Sequence, residues 1–331
     1  MNIKRARATY IPQEPGMQGI WEKIERGGRI CYQSDGEIMY DKLGRSLTAE
    51  PFARKLLNVY KHLSVAEHAG VYFMFPIFNT CDCNGKTRKS YGPKNIFAPF
   101  FTKRNISKYC KFHFVDNCHS DTKQVICYLS TNYRVIVENG LEALMSHSCE
   151  PTSSHDRVIS IRVITDRGVS AELNRHRRNS PSERSTRYAA SSCRGLSIVC
   201  PEFITDEEIN RAMKDWEIRS APAEPIVGLC RAISNGEVLQ PIDLYLFANY
   251  ASEYSYTSLR DLHWSRQEAR RVLPLDLETE LLISAHESDW KHFFDLRLKG
   301  TTGAPHPDMK TLTKRMAEEL VPVMPWLNSY I

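Results

Sequence analysis

RGVSAELNRHRRNSPSERSTRY, residues 167–188, packs six arginines, one histidine, two carboxylates and several hydroxyls into one stretch. Solvated surface is rarely so dense in one sign of charge. Just before it, VISIRVITD at 158–166 places apolar residues at alternate positions, which predicts a half-buried strand. Residues 169–177 then predict a short helix with Gly168 at the junction, and Asn179-Ser180-Pro181-Ser182 is a loop signal. A strand feeding a short helix and a polar loop delivers arginine to one place. The guanidinium is a planar fork suited to phosphate, and Ser180, Ser182, Ser185 and Thr186 can add neutral partners. Two readings follow: a solvated or RNA-binding basic face, and a site for a phosphorylated small molecule.

The pattern Arg175-His176-Arg177, seven residues, Ser185, then Arg187-Tyr188 resembles the signature of the flavin-dependent thymidylate synthases. Ser182 stands where that family often has Asn, Thr186 where it often has Gly, and Glu172 where many members have Gln. A carboxylate at 172 accepts hydrogen bonds but does not donate unless protonated. The resemblance extends outward. HLSVAEH at 62–68 has the family's order of a histidine, a hydroxyl two residues on, and a Glu-His pair. Asn132 and Arg134 resemble its Asn-x-Arg element. Ala269, Arg270, Leu273 and Pro274 match Ala-Arg-x-x-Leu-Pro, and Leu296-Arg297 closes a later helix. His306-Pro307-x-Met309 resembles a further segment, with Asp308 in place of the more usual Gln.

The resemblance implies an α+β subunit, with helices around a central, largely antiparallel sheet. No Gly-x-Gly-x-x-Gly follows a strand, so a doubly wound dinucleotide fold is not indicated. It further implies reductive methylation of dUMP to dTMP, with bound FAD, NADPH as reductant and methylenetetrahydrofolate as carbon donor. Hydride would pass from flavin N5 to C6 of uracil. Carried over residue by residue, FAD would be held by His62, Ser64, Glu67, Arg175, His176, Arg177, His286 and His292. The nucleotide would be held by Glu172, Glu183, Ser185, Thr186, Arg187, Arg270 and Arg297, with Ser185 and Arg297 as the catalytic candidates. Arg297 would stabilise negative charge developing on the pyrimidine. The family also implies a homotetramer with the flavin between subunits.

Composition agrees with a globular enzyme. The 331 residues are 42% hydrophobic and 25% charged, and the formal net charge of +5 suits anionic nucleotides without demanding nucleic acid. No apolar run is long enough to span a membrane, and MNIKRARATYIP has no apolar leader core. The expectation is a cytoplasmic protein whose ten cysteines are thiols. The spacing of Cys81, Cys83, Cys110 and Cys118 is not the paired Cys-x-x-Cys of a zinc site, and no metal is expected. Cys193, beside Arg194, is a thiol that could be activated, but the expected chemistry needs no cysteine nucleophile.

Along the chain, residues 17–31 predict a first helix weakened by Gly27-Gly28. Thr48 is a candidate N-cap for a second helix that buries Phe52, Leu56, Leu57, Val59 and Tyr60. Val71, Phe73 and Phe75 mark a strand. Residues 79–121 are polar and turn-rich, then aromatic and basic, and read as an insertion into one domain covering 1–331. Residues 125–147 predict a long helix, and 206–220 and 241–262 two more. Two other functions remain open on these residues: the same fold and flavin chemistry on another pyrimidine nucleotide or with a hydroxymethyl product, and a nucleic-acid-binding protein using the arginine-rich face.

Overall fold

A computed structural model describes residues 1–81, 87–90, 96–101, 107–117, 124–186, 195–215 and 223–331. Its strands, in chain order, are β1 (Asn2–Lys4), β2 (Arg7–Ile11), β3 (Gly70–Cys81), β4 (Thr87–Ser90), β5 (Lys111–Asn117), β6 (Gln124–Asn132), β7 (Val158–Asp166), β8 (Ser180–Glu183), β9 (Ser197–Val199) and β10 (Glu278–His286). The helices are α1 (Gly16–Tyr32), α2 (Ala49–Arg54), α3 (Tyr133–Glu138), α4 (Arg167–Leu173), α5 (Asp206–Asp215), α6 (Ala223–Ser234), α7 (Pro241–Asp261), α8 (Arg266–Ala269), α9 (Glu287–Phe294) and α10 (Pro307–Leu320). The class is mixed α+β and antiparallel, but the strands divide into two four-stranded sheets, β2-β7-β10-β8 and β4-β3-β6-β5, beside a short parallel pair β1-β9. No helix among the described residues is long and apolar enough to cross a membrane.

The first sheet gathers the distant motifs. Strand β10 is buried along its whole length and pairs antiparallel with β7 from Glu278 opposite Asp166 to His286 opposite Val158. On its other side it pairs with β8. Alternation gives this sheet one apolar face, where Ile161, Val163, Leu281 and Ile283 meet Phe293, Leu298, Met309 and Leu312. The Asp166 carboxylate caps α4 by accepting from Val169 N–H at 2.7 Å. α4 folds back over that face from one end of the sheet, and α9 from the other. The opposite face is polar and lies toward α1.

In the second sheet, the long β6 pairs with both β3 and β5. This overturns the long helix expected over 125–147. Val125 to Thr131 are mostly β-branched or aromatic, and two strand partners outweigh a helical spacing of apolar residues. The helix begins only at Tyr133, where Asn132 Oδ1 accepts Val135 N–H at 3.2 Å. It ends after six residues at Glu138, and Gly140, whose φ is +64°, turns the chain away. The described part of 79–121 builds the end of β3, β4 and β5.

Two smaller expectations also change. Thr48 precedes α2, but its hydroxyl donates to Glu25 Oε1 at 2.8 Å instead of capping the helix. Val59 and Tyr60 are exposed, because Lys55–Val59 widens into a π turn that rotates them off the buried stripe. The first helix, by contrast, is present close to its expected bounds and runs through Gly27-Gly28. That pair provides clearance: a Cβ at Gly27 would meet His68 Cδ2 at 2.6 Å, and one at Gly28 would meet Leu56 Cδ1 at 2.4 Å.

Candidate active site

Three sequence-predicted residues meet where α4 and α9 converge. Arg297 lies in the π turn Asp295–Lys299 that extends α9. Its Nε donates to His176 Nε2 at 2.8 Å, and its Nη1 donates to Glu172 Oε2 at 2.7 Å. Because His176 Nε2 accepts, its ring is neutral with its proton on Nδ1. Burial, and then the Arg297 charge and His292, push its pKa down to about 4. Phe293 packs edge-on against the same ring, with centroids 4.8 Å apart. The carboxylate at 172 thus serves as the counter-ion of Arg297.

The turn around His176 leaves cations free. Arg175 and Arg177 are exposed, and their side chains have no partner among the described residues. His292 is exposed as well. On another side, Arg270 is exposed and donates to Thr186 Oγ1 at 3.2 Å, while Ser185 N–H donates to the Cys31 carbonyl at 3.2 Å. Arg187 lies outside the described residues, as does Cys193.

A second group surrounds Glu67, which is 7% exposed. Arg134 pairs with its Oε1, Ser180 Oγ donates to Oε2, and the Tyr109 phenol donates to Oε2 at 2.7 Å. The Tyr109 phenol is held above its ordinary pKa by burial and by that carboxylate. Next to Glu67, His68 is wholly buried, with Nδ1 2.8 Å from Ser284 Oγ and Nε2 2.7 Å from Ser182 Oγ. Burial, then Lys23 and His62, lower its pKa to about 3, so the ring is neutral. His62 is half-buried, its pKa lowered by burial, and its Nδ1 lies 3.4 Å from Tyr32 Oη. Ser64 is exposed.

Two of the expected residues are turned inward. Glu183 accepts from Arg167 at 2.7 Å, Ser170 at 3.0 Å and Thr279 at 2.9 Å on one oxygen, and from Asn174 at 3.0 Å on the other. His286 is 3% exposed, with Nδ1 2.9 Å from the Asp156 carbonyl and Nε2 3.0 Å from the Tyr109 carbonyl. Sequence reasoning singled out neither His68 nor Tyr109. The first stands beside Glu67 in a Glu-His pair, a signal that was present. The second has no local signal, because its partners are 42 and 177 residues away.

None of the curated proteins matches the chain. Among solved structures, UMP/dUMP methylase PolB from Streptomyces cacaoi bound with 5-Br UMP is 18% identical over 54% of this chain and 75% of that one, at a TM-score of 0.38. The same methylase bound with 5-Br dUMP is 13% identical over 100% of this chain and 96% of that one, at a TM-score of 0.39. Overlaps this loose say nothing of substrate. The family model described as "Thymidylate synthase complementing protein" matches residues 121–326, a span that includes the 175–177 turn, Arg270 and Arg297. The chain belongs to that family, the flavin-dependent thymidylate synthases.

Proposed function

We propose that this protein methylates dUMP to dTMP, using FAD, NADPH and methylenetetrahydrofolate. The observation that carries the reading is the meeting of Arg297 with His176, one residue from each of two distant family motifs. The uncommitted Arg175 and Arg177 beside a neutral histidine fit the charge of a pyrophosphate-bearing cofactor. We assign these two, with His62 and His292, to FAD. Ser64, Glu67 and His286 belong to the same site, Glu67 and His286 through the groups they hold. When bound, FAD supplies the reducing equivalents of the methylation.

The remaining roles are those of the protein's own groups. Arg270, Thr186 and Ser185, with Arg187, bind the nucleotide phosphate; charge-assisted hydrogen bonds from arginine suit its oxygens. Arg297 reaches the pyrimidine. Its Nε and Nη1 are tied to His176 and Glu172, so the guanidinium plane is set before substrate arrives and costs little reorganisation at the moment charge develops. Glu183 positions β8 against α4. The proposed assembly is a homotetramer, in keeping with exposed Val227, Val238, Leu244 and Leu262 on and beside α6 and α7. The Glu172 carboxylate leaves a second substrate in play, dCMP, because an acceptor can also take an exocyclic amine.

The test is an absorbance spectrum of the purified protein, followed by titration with dUMP and product analysis. Bound flavin, a spectral shift with dUMP, and dTMP formed only with both co-substrates are expected. Turnover of dCMP alone would replace the substrate, and a protein that takes up no added FAD would overturn the reading.

A further inference from the structure

Residues 107–111, SKYCK, lie in the stretch that reads as an insertion, and no part of the family signature points to them. In the structure this turn is docked on the 175–177 turn. Ser107 braces it internally: its hydroxyl accepts Tyr109 N–H at 3.2 Å, and its carbonyl accepts Cys110 N–H at 3.0 Å. Three contacts fix it from outside. The Tyr109 phenol donates to Glu67 at 2.7 Å, the Tyr109 carbonyl faces His286 Nε2 at 3.0 Å, and the Lys111 ammonium pairs with Asp289 at 2.9 Å. The exposed Lys108 is thereby held at the signature turn, where its Nζ donates to the Arg177 carbonyl at 2.7 Å.

Charge here is one-sided. Among the described residues, Asp289 is the carboxylate paired within this group of cations, and it already takes both Lys111 and Arg178. Among the described residues Arg175 and Arg177 have no side-chain partner, and a carbonyl cannot neutralise Lys108. Cations concentrated this way favour an anion. A turn pinned at several points also loses little freedom when it binds one.

We propose that Lys108 is a further phosphate-binding residue of the flavin site, contributed by the insertion, with Tyr109 as the positioning residue that holds it there. This rests on the flavin reading above.

The test is fluorescence titration of the full chain with FAD and, separately, with riboflavin, which has the ring but no phosphate. Lys108→Met should weaken FAD about five- to tenfold. It should leave riboflavin within about twofold and make FAD binding less sensitive to salt. Tyr109→Phe should weaken FAD in part, and the double variant should bind FAD about as well as Lys108→Met alone, because one residue acts through the other. Unchanged FAD affinity in Lys108→Met, or an equal loss for riboflavin, would overturn the proposal while leaving the flavin reading intact. Wild-type protein that binds neither ligand would overturn both.

Discussion

The corner around Glu67 and the edge around Arg175 and Arg177 differ in how they treat charge. At the corner, Glu67 is buried and accepts from an arginine, a phenol and a serine, and His68 beside it is closed between two serines. Nothing there is left over. At the edge, reached from Ser180 by a few residues of the same turn, two guanidiniums stand exposed without a partner among the described residues. One motif therefore mixes groups that hold sheet and helix together with groups left for a ligand. A buried charge must be paired inside the protein to be tolerated, whereas an exposed arginine can wait in water for its anion.

The largest expected effect lies at the corner. Glu67→Ala should cost roughly 3 kcal/mol in urea denaturation, the low end for a broken buried pair, because Arg134 is 32% exposed. A cost below about 0.5 kcal/mol, the scale of an ordinary surface substitution, would break the contrast. His68→Ala should cost about 2–3 kcal/mol, from two buried hydroxyls each losing one hydrogen bond, though Ser284 keeps Ser160, and from the cavity left behind.

Acidification sharpens the same contrast. His68 and His176 have folded pKa values lowered to about 3 and about 4, against an unfolded value near 6.5. The unfolded chain therefore takes up protons first, and stability should fall as pH drops from about 6.5 toward 4. That slope should be shallower in His68→Ala.

Lys23 tests what happens when a buried charge has no carboxylate. It is 3% exposed, donates to the Ile11 carbonyl at 2.5 Å, and burial followed by Arg26 lowers its pKa to about 7. Lys23→Met should stabilise the protein by about 1–2 kcal/mol below pH 7. The advantage should shrink as pH rises through 7 toward 10.5, because the folded wild type sheds its proton before the unfolded chain does. Smallest in stability, Arg175→Gln with Arg177→Gln should shift unfolding by less than about 0.5 kcal/mol, yet weaken FAD at least about tenfold. A large stability loss there would show that these arginines belong with the corner.

Much of this was legible in residue type and order. The strand at 158–166 is present with those bounds, but it is covered on both faces and not half-buried, with no residue exposed, as the adjacent pairs Val158-Ile159 and Val163-Ile164 suit. Fixed spacing of Arg175, His176, Arg177 and Ser185 pointed to the family. The region 125–147 was misread because its apolar residues satisfy both periods, and only strand partners distant in the chain decide between them. Gly27 and Gly28 read only as a weak point of the first helix because the sequence does not reveal that His68 and Leu56 need their space.

By itself, then, the sequence determined the chemical inventory: an arginine-rich stretch after a strand, a Glu-His pair after a helix, and a second arginine motif far along the chain. Local order is enough for that, since motif spacing is covalent. Tertiary structure decided which of these groups are spent and which are free. Pairing of β10 with β7 and β8, and the return of α4 and α9 over one face, bring Arg297 to His176 and Glu172. Docking of the second sheet brings Tyr109 to Glu67 and Lys108 to Arg177. Whether a charge is buried depends on neighbours distant in sequence, and only the packed structure supplies them.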